Sequence, residues 1–350
     1  MADKETKTVD FEKLKKTVAV GVRMQDNVIN ATPYFLEENK KQALGERRVG
    51  LGVMGLHDML IYCETMYGSE QGNKLVDQVF EVIATTAYKT SVDLAKEKGS
   101  FPFLNGETRE ETNRLRQAFI DTGYMKKMPE DVRQSILENG IRNSHLLTVA
   151  PTGSTGTMVG VSTGLEPYFS FSYFRSGRLG KFIEVKADIV QEYLDSHPEA
   201  DADNLPSWFV AAMELAPEAH ADVQCVIQRW IDSSISKTVN APQGYSVEQV
   251  EKVYERLYKG GAKGGTVYVD GSRDSQVLTL KAEENEVPTF KEKTKQHVVL
   301  VDTISDLRST DVTIGSEVGN TCPVCRKGKV KEIGGCNTCS NCGTQLKCGL

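Results

Sequence analysis

The chain has 350 residues, 39% hydrophobic and 26% charged, with a formal net charge of −6. That profile excludes a disordered or collagen-like chain, and the length suits one large domain with a small appendage. No run reaches the roughly 18 to 20 apolar residues of a membrane span, and the charged start Met1-Ala2-Asp3-Lys4-Glu5 has no apolar segment behind it, so a cytoplasmic location without membrane attachment is expected.

In chain order, apolar residues at Phe11, Leu14, Val18, Val22, Met24 and Ile29 recur near helical spacing and predict an amphipathic helix over 11–30. The glycine-dense run 49–55 predicts a strand, feeding helical patterns over 56–65 and 71–98. Helices over about 108–121 and 129–138 precede the apolar run 146–150, a strand that stops at Pro151-Thr152-Gly153. An aromatic run over 168–174 follows, then helices over 187–195, 218–231 and 247–258 and a strand over 265–269. Strands alternating with helices argue for an α/β fold. Residues 276–321 are charged and irregular, with one short strand at 298–301, and read as a flexible tether spanning roughly 35 to 40 Å as a coil. The expected organisation is a body over 1–275, the tether over 276–321 and a cysteine-rich tail over 322–350.

Three motifs bear on chemistry. Gly50-x-Gly52-x-x-Gly55 has the spacing of a dinucleotide fingerprint but lacks a second strand ending in an acid about 20 residues on, so close packing of a strand against a helix explains it better. The loop Pro151, Thr152, Gly153, Ser154, Thr155 puts small hydroxyl and glycine residues at a helix start, where unpaired amides bind anions. It is a phosphate site or an ordinary N-cap turn, and no Gly-Lys-Ser/Thr makes it a Walker loop.

In the tail, Cys322-Pro323-Val324-Cys325 and, ten residues on, Cys336-Asn337-Thr338-Cys339-Ser340-Asn341-Cys342-Gly343 carry two Cys-x-x-Cys knuckles, the thiolate set of a zinc ribbon. Gly343 favours Cys339 and Cys342 for the second knuckle, so Cys322, Cys325, Cys339 and Cys342 are the expected Zn2+ ligands. Cys336 and Cys348 then remain as a dithiol suited to electron shuttling. The tail carries +4 and the rest −10, so a purely structural or a nucleic-acid-binding ribbon stands as the alternative. Cys63 and Cys225 read as buried structural thiols, and His57, His145, His197, His220 and His297 as isolated packing or surface residues.

Taken together, the runs Arg47-Arg48-Val49-Gly50-Leu51-Gly52-Val53-Met54-Gly55-Leu56, Arg142-Asn143-Ser144-His145-Leu146-Leu147-Thr148-Val149-Ala150-Pro151-Thr152-Gly153-Ser154, Gly164-Leu165-Glu166-Pro167 and Lys263-Gly264-Gly265-Thr266-Val267-Tyr268-Val269-Asp270-Gly271-Ser272-Arg273 resemble, in order, the C-terminal half of the ribonucleotide reductase large chain. The cysteine tail resembles that of the class II, adenosylcobalamin-dependent branch. The resemblance implies the second half of that family's ten-stranded α/β barrel. It implies that loop 151–155 binds the substrate's phosphates, diphosphates favoured, and that Cys336 and Cys348 re-reduce an active-site disulfide before a thioredoxin-like dithiol reduces them in turn. Tyr268 matches one of two adjacent tyrosines that relay a radical in class I enzymes, but Val269 stands in the second position, which points to adenosylcobalamin as the radical source.

The family's radical cysteine, in an Asn-x-Cys-x-Glu pattern, and its active-site redox cysteines have no counterpart among these residues. The resemblance therefore implies a split enzyme whose N-terminal partner chain carries them, and half a barrel leaves edges that need covering. The alternatives are a non-catalytic or regulatory relic of the fold, or a zinc-ribbon nucleic-acid-binding protein. Stable nucleic-acid binding is not expected of the split enzyme.

Overall fold

The computed structural model describes residues 1–177, 180–201, 204–272, 317–322, 327–333, 336–342 and 344–348. Within these, only the backbone is considered for 172–177, 180–186, 333, 336, 345, 347 and 348. Cys325, the strand expected at 298–301 and the tether over 276–316 lie outside the described residues. The chain divides into two compact units, Met1–Ala282 and Glu283–Leu350.

In the first unit, β1 (Ala2–Asp3) pairs antiparallel with β2 (Thr8–Val9), followed by helices α1 (Phe11–Ala31), α2 (Glu37–Glu46), α3 (Leu56–Tyr62), α4 (Glu70–Lys98), α5 (Arg109–Ile120) and α6 (Glu130–Asn139). Then come the short α7 (Gly153–Met158), the hairpin β3 (Ser172–Gly177) and β4 (Gly180–Lys186), helices α8 (Asp188–Ser196) and α9 (Pro217–Gln228), β5 (Thr238–Ala241), α10 (Val247–Lys259) and β6 (Thr266–Val269). The helices follow from capping and periodicity. Asp10 accepts from the Lys13 amide to start α1, whose Leu14, Val18, Val22 and Ile29 are buried along one face. Ser69 does the same for α4, which ends on Lys96, Lys98 and Gly99, and packs along α1. A reciprocal Ser246–Gln249 box opens α10.

Extended segments run parallel through the middle of this unit. Leu51 bridges Leu147, Val149 bridges Ile235, and β5 pairs with β6 in the register Val239↔Val267 and Asn240↔Tyr268. The spatial order is therefore 49–51, 147–149, 235–241, 266–269, under helices, as an α/β fold requires. No closed barrel is present among the described residues; the β5–β6 pair and two isolated parallel bridges link these four segments into an open array. The expected strand at 49–55 is reduced to the single bridging residue Leu51. Gly52 explains the local shape, because a Cβ there would lie 2.6 Å from the Thr148 carbonyl oxygen. The glycine motif thus packs strand against strand, not strand against helix, and no dinucleotide turn forms.

The second unit holds a three-stranded antiparallel sheet in the order β7 (Val330–Ile333), β8 (Cys336–Cys339), β9 (Gln345–Cys348). Its registers put Cys339 opposite Val330 and Cys336 opposite Cys348.

Candidate functional site

The loop over 151–156 leaves the C-terminal end of a parallel segment, which its neighbours hold firmly. Val149 donates to the Ser234 carbonyl at 3.2 Å, Ser236 donates to the Val149 carbonyl at 2.8 Å, and the Thr148 hydroxyl donates to the Ser234 carbonyl at 2.8 Å. Thr152 takes the left-handed region at φ 48° and begins α7, with the Gly156 amide donating to its carbonyl at 2.7 Å. The Thr152 hydroxyl oxygen accepts from the Gly164 amide at 2.7 Å. Gly164 itself has φ +53°, and a Cβ there would lie 2.8 Å from the Ala150 carbonyl oxygen, so the two strands of the loop touch backbone to backbone. The amides of Gly153, Ser154 and Thr155 open the helix and donate to no protein acceptor among the described residues, and all three residues are exposed. Pro151, Thr152, Gly153, Ser154 and Thr155 thus sit where an extended parallel segment meets a helix start, and Gly153, Ser154 and Thr155 are exposed there.

Glu166, downstream of this loop, joins a charge cluster with the buried Lys237 and His220 that motif reading did not find. The Lys237 side chain has no exposed surface, and its ammonium donates to Glu166 Oε2 at 2.6 Å, to His220 Nδ1 at 3.0 Å and to the Thr238 carbonyl. Glu166 Oε1 accepts from the Thr238 amide at 2.6 Å. His220 donates from Nε2 to the Ala212 carbonyl at 2.9 Å, which assigns the Nε2–H tautomer and leaves Nδ1 to accept from Lys237. Burial pulls the Lys237 ammonium below its ordinary value against the pull of Glu166. Burial and then the Lys237 charge lower His220 to about 3, so the ring is neutral.

Three buried carboxylates, Asp26, Asp232 and Asp58, tie the elements together. Asp26 accepts from Arg47 at 2.8 and 2.9 Å and from Asn143 at 3.1 Å, with Arg142 at 3.4 Å; burial raises its pKa, but Arg47 and Arg142 outweigh burial and hold it below the ordinary value. Asp232 accepts from the Leu146 and Leu147 amides and from Tyr88, fixing the segment that leads into the loop. Asp58 accepts from the Ser162 amide at 2.8 Å and from Tyr168 at 2.6 Å, fixing the segment that leads out of it. His57 accepts at Nδ1 from the Tyr168 amide, and burial lowers it to about 4 despite the Asp58 charge. The two buried histidines therefore pack and hydrogen-bond, as expected of them. Cys63 and Cys225 are half-buried, not buried as expected, and burial pushes both thiols up, which keeps them protonated and unreactive.

In the tail sheet, Cys322, Cys339 and Cys342 come together, with sulfur atoms all within 4.8 Å of one another and Cys322 Sγ 3.8 Å from Cys342 Sγ. Four thiolates at about 2.3 Å from a tetrahedral zinc have sulfurs about 3.8 Å apart, so this trio fits three corners of such a site. The Asn341 and Cys342 amides donate to Cys339 Sγ at 3.4 and 3.5 Å, the pattern that amides make to thiolate sulfurs in metal knuckles. Cys325, the fourth expected ligand, lies outside the described residues. Cys336 and Cys348 are cross-strand partners in β8 and β9.

The signal for Glu166 was present in Gly164-Leu165-Glu166-Pro167, which was read only as part of a family pattern. Lys237 gave none, because a lone lysine in Ser233-Ser234-Ile235-Ser236-Lys237-Thr238 looks like any surface lysine.

Comparison with known proteins adds an independent line. Residues 1–268 match the family model for the ribonucleotide reductase barrel domain. The chain is 30% identical over 293 residues to the vitamin B12-dependent ribonucleoside-diphosphate reductase of Mycobacterium tuberculosis strain H37Rv, which covers 78% of this chain and 38% of that protein. It is 29% identical over 335 residues to the protein of the same name from Thermoplasma acidophilum, covering 91% of this chain and 40% of the relative. A ribonucleoside-diphosphate reductase subunit alpha from Chlamydia pneumoniae is 29% identical over 289 residues, covering 73% of this chain and 27% of that subunit. The chain therefore spans at most about two fifths of the length of these relatives.

Proposed function

The chain belongs to the ribonucleotide reductase barrel-domain family, and on that footing we propose that it is the phosphate-binding part of a cobalamin-dependent reductase that converts ribonucleoside diphosphates to 2′-deoxyribonucleotides. Two of the relatives carry both the vitamin B12 dependence and the diphosphate substrate in their names. The observation that carries the reading to this chain is the trio of amides at Gly153, Ser154 and Thr155, which have no protein acceptor among the described residues and open a helix just after an extended parallel segment. The amides and the Ser154 and Thr155 hydroxyls would hold the diphosphate, with Pro151 and Thr152 shaping the turn.

The overall reaction removes the 2′-hydroxyl as water and oxidises two thiols to a disulfide. No Asn-x-Cys-x-Glu pattern occurs in this sequence, so the radical cysteine, the acid and base groups and the first dithiol would come from an N-terminal reductase chain. The open sheet favours such a partner, since 49–51 and β6 each pair on one side only among the described residues. Adenosylcobalamin would supply the radical that starts the chemistry. Met54, Met158 and Val159 are exposed apolar side chains in the segments joined by the Gly55–Ser162 backbone hydrogen bond, and would be the residues of this chain to offer apolar surface to a corrin ring.

Cys336 and Cys348 would form the dithiol that re-reduces the partner's disulfide and passes its own oxidation to a thioredoxin-like protein. Their cross-strand register supports this, because antiparallel partners lie about 4.5 to 5.5 Å apart at Cα, within disulfide range. Zn2+ held by Cys322, Cys325, Cys339 and Cys342 would keep the small sheet folded.

The test is a titration of the chain with CDP, followed at the backbone amides by NMR. The expected shifts concentrate at 153–155, and Ser154→Asp, which sets a carboxylate against those amides, weakens binding at least about tenfold. Shifts confined to another part of the chain would overturn the assignment.

A further inference from the structure

The loop contains no lysine or arginine between Pro151 and Met158, so an anion there depends on how well the amides are aimed. Such aim has to be held by the surroundings, since Thr152 sits in the left-handed region without being glycine. What holds it can be followed bond by bond. The Gly164 amide donates to the Thr152 hydroxyl oxygen, the Glu166 amide donates to the Thr163 carbonyl at 2.9 Å, and the Glu166 carboxylate is gripped by the Thr238 amide and the Lys237 ammonium. All three ammonium protons of Lys237 are used, on Glu166, His220 and the Thr238 carbonyl, and none of its side-chain surface is exposed. Lys237 is thus unavailable to a ligand. Lys237 is the buried end of this pair while Glu166 is half-buried, and an ion pair with a buried end adds little stability that an apolar pair of equal volume would not.

We propose that Lys237 is a positioning residue for the phosphate loop, holding the 151–166 turn in its anion-binding form by clamping Glu166 to the end of β5, with neutral His220 completing the ammonium's shell. This rests on the reading of loop 151–155 as the phosphate site. It adds that site's control element, which reaches the ligand through Glu166, Gly164 and Thr152 and touches it nowhere.

The decisive variant is the double replacement Lys237→Met with Glu166→Gln, which removes both charges together and leaves no unpaired ion. Lys237→Met alone strands the Glu166 carboxylate and serves as the destabilised control. Two measurements are made on the full chain: hydrogen exchange at the Gly156 and Gly164 amides, and binding of inorganic pyrophosphate. The clamp predicts that the double variant recovers thermal stability relative to Lys237→Met. It also predicts that exchange at those two amides stays at least about tenfold faster than in the wild type and that pyrophosphate binds at least about tenfold more weakly. Wild-type exchange at Gly156 and Gly164 in the double variant would overturn the clamp, whatever the ligand does. Faster exchange with undiminished pyrophosphate affinity would overturn the positioning role. A wild-type chain that binds no pyrophosphate at 153–155 but shows the accelerated exchange in the variant would overturn the phosphate-site reading instead, leaving the clamp as the holder of the loop.

Discussion

Asp26 has no exposed surface, yet it is ionised among Arg47, Arg142 and Asn143. Arg47 and Arg142 belong to two of the runs that carry the family resemblance, and their visible work is to join α1 to the segments that enter the parallel sheet. Replacing Asp26 by Asn leaves the nearly buried Arg47 guanidinium without its counter-charge. Breaking a buried pair in this way costs about 3 to 5 kcal/mol, so urea denaturation of Asp26→Asn should show a fall in stability of about 3 kcal/mol. His57 and His220 make a second residue-level prediction. Both are held neutral in the folded chain, with pKa values of about 4 and about 3, whereas unfolded histidine titrates near 6.5. As pH falls below 6.5 the unfolded state gains protons that the folded state refuses. Stability is therefore complete above about pH 6.5 and drains away towards the folded values. The loss should reach about 1 kcal/mol per histidine between pH 6.5 and 5.5. Denaturation midpoints measured across that interval should fall less steeply in His57→Gln, whose side chain cannot take up the proton.

Among the elements, the helices are legible because burial imposes a period of 3.6 that a one-dimensional pattern carries: α1, α4, α5, α6 and α10 start and stop within a residue or two of expectation. The sheet is less legible. Segment 49–53 joins its neighbour through one bridge at Leu51 and a close glycine contact, and nothing local distinguishes that from a nucleotide-binding turn. Replacing Gly52 by Ala drives a methyl group into the Thr148 carbonyl and should cost about 1 to 3 kcal/mol by urea denaturation, without loss of any NAD binding, since none is expected. The hairpin β3–β4 escaped notice because its bulge between Arg175 and Gly177 breaks the alternation. The loop 151–155 is visible in the sequence as small residues after an apolar run, but Lys237 lies 71 positions beyond Glu166, in neither motif nor period, and the pair meets only once the chain is folded. In the tail, spacing alone was enough to bring Cys322, Cys339 and Cys342 together. Cys339→Ser should abolish the stoichiometric zinc that the proposal expects, read by metal analysis of the purified chain, and mild oxidation should link Cys336 to Cys348 in peptide maps and leave Cys322, Cys339 and Cys342 unlinked.

For the molecule as a whole, the family match covers residues 1–268, while the relatives are more than twice as long as the part this chain aligns with. The proposed phosphate loop, the open sheet edges and the thiol-rich tail would complete a reductase beside a chain that brings the Asn-x-Cys-x-Glu pattern absent from this sequence. The most direct test is deoxyribonucleotide formation from CDP with adenosylcobalamin and a dithiol, using this chain mixed with the polypeptide encoded immediately upstream, and each alone. The account predicts turnover only in the mixture, lost in Cys336→Ser/Cys348→Ser when a protein reductant is supplied and retained with a small dithiol. Turnover by this chain alone, or none in a mixture that forms a stable complex, would contradict it.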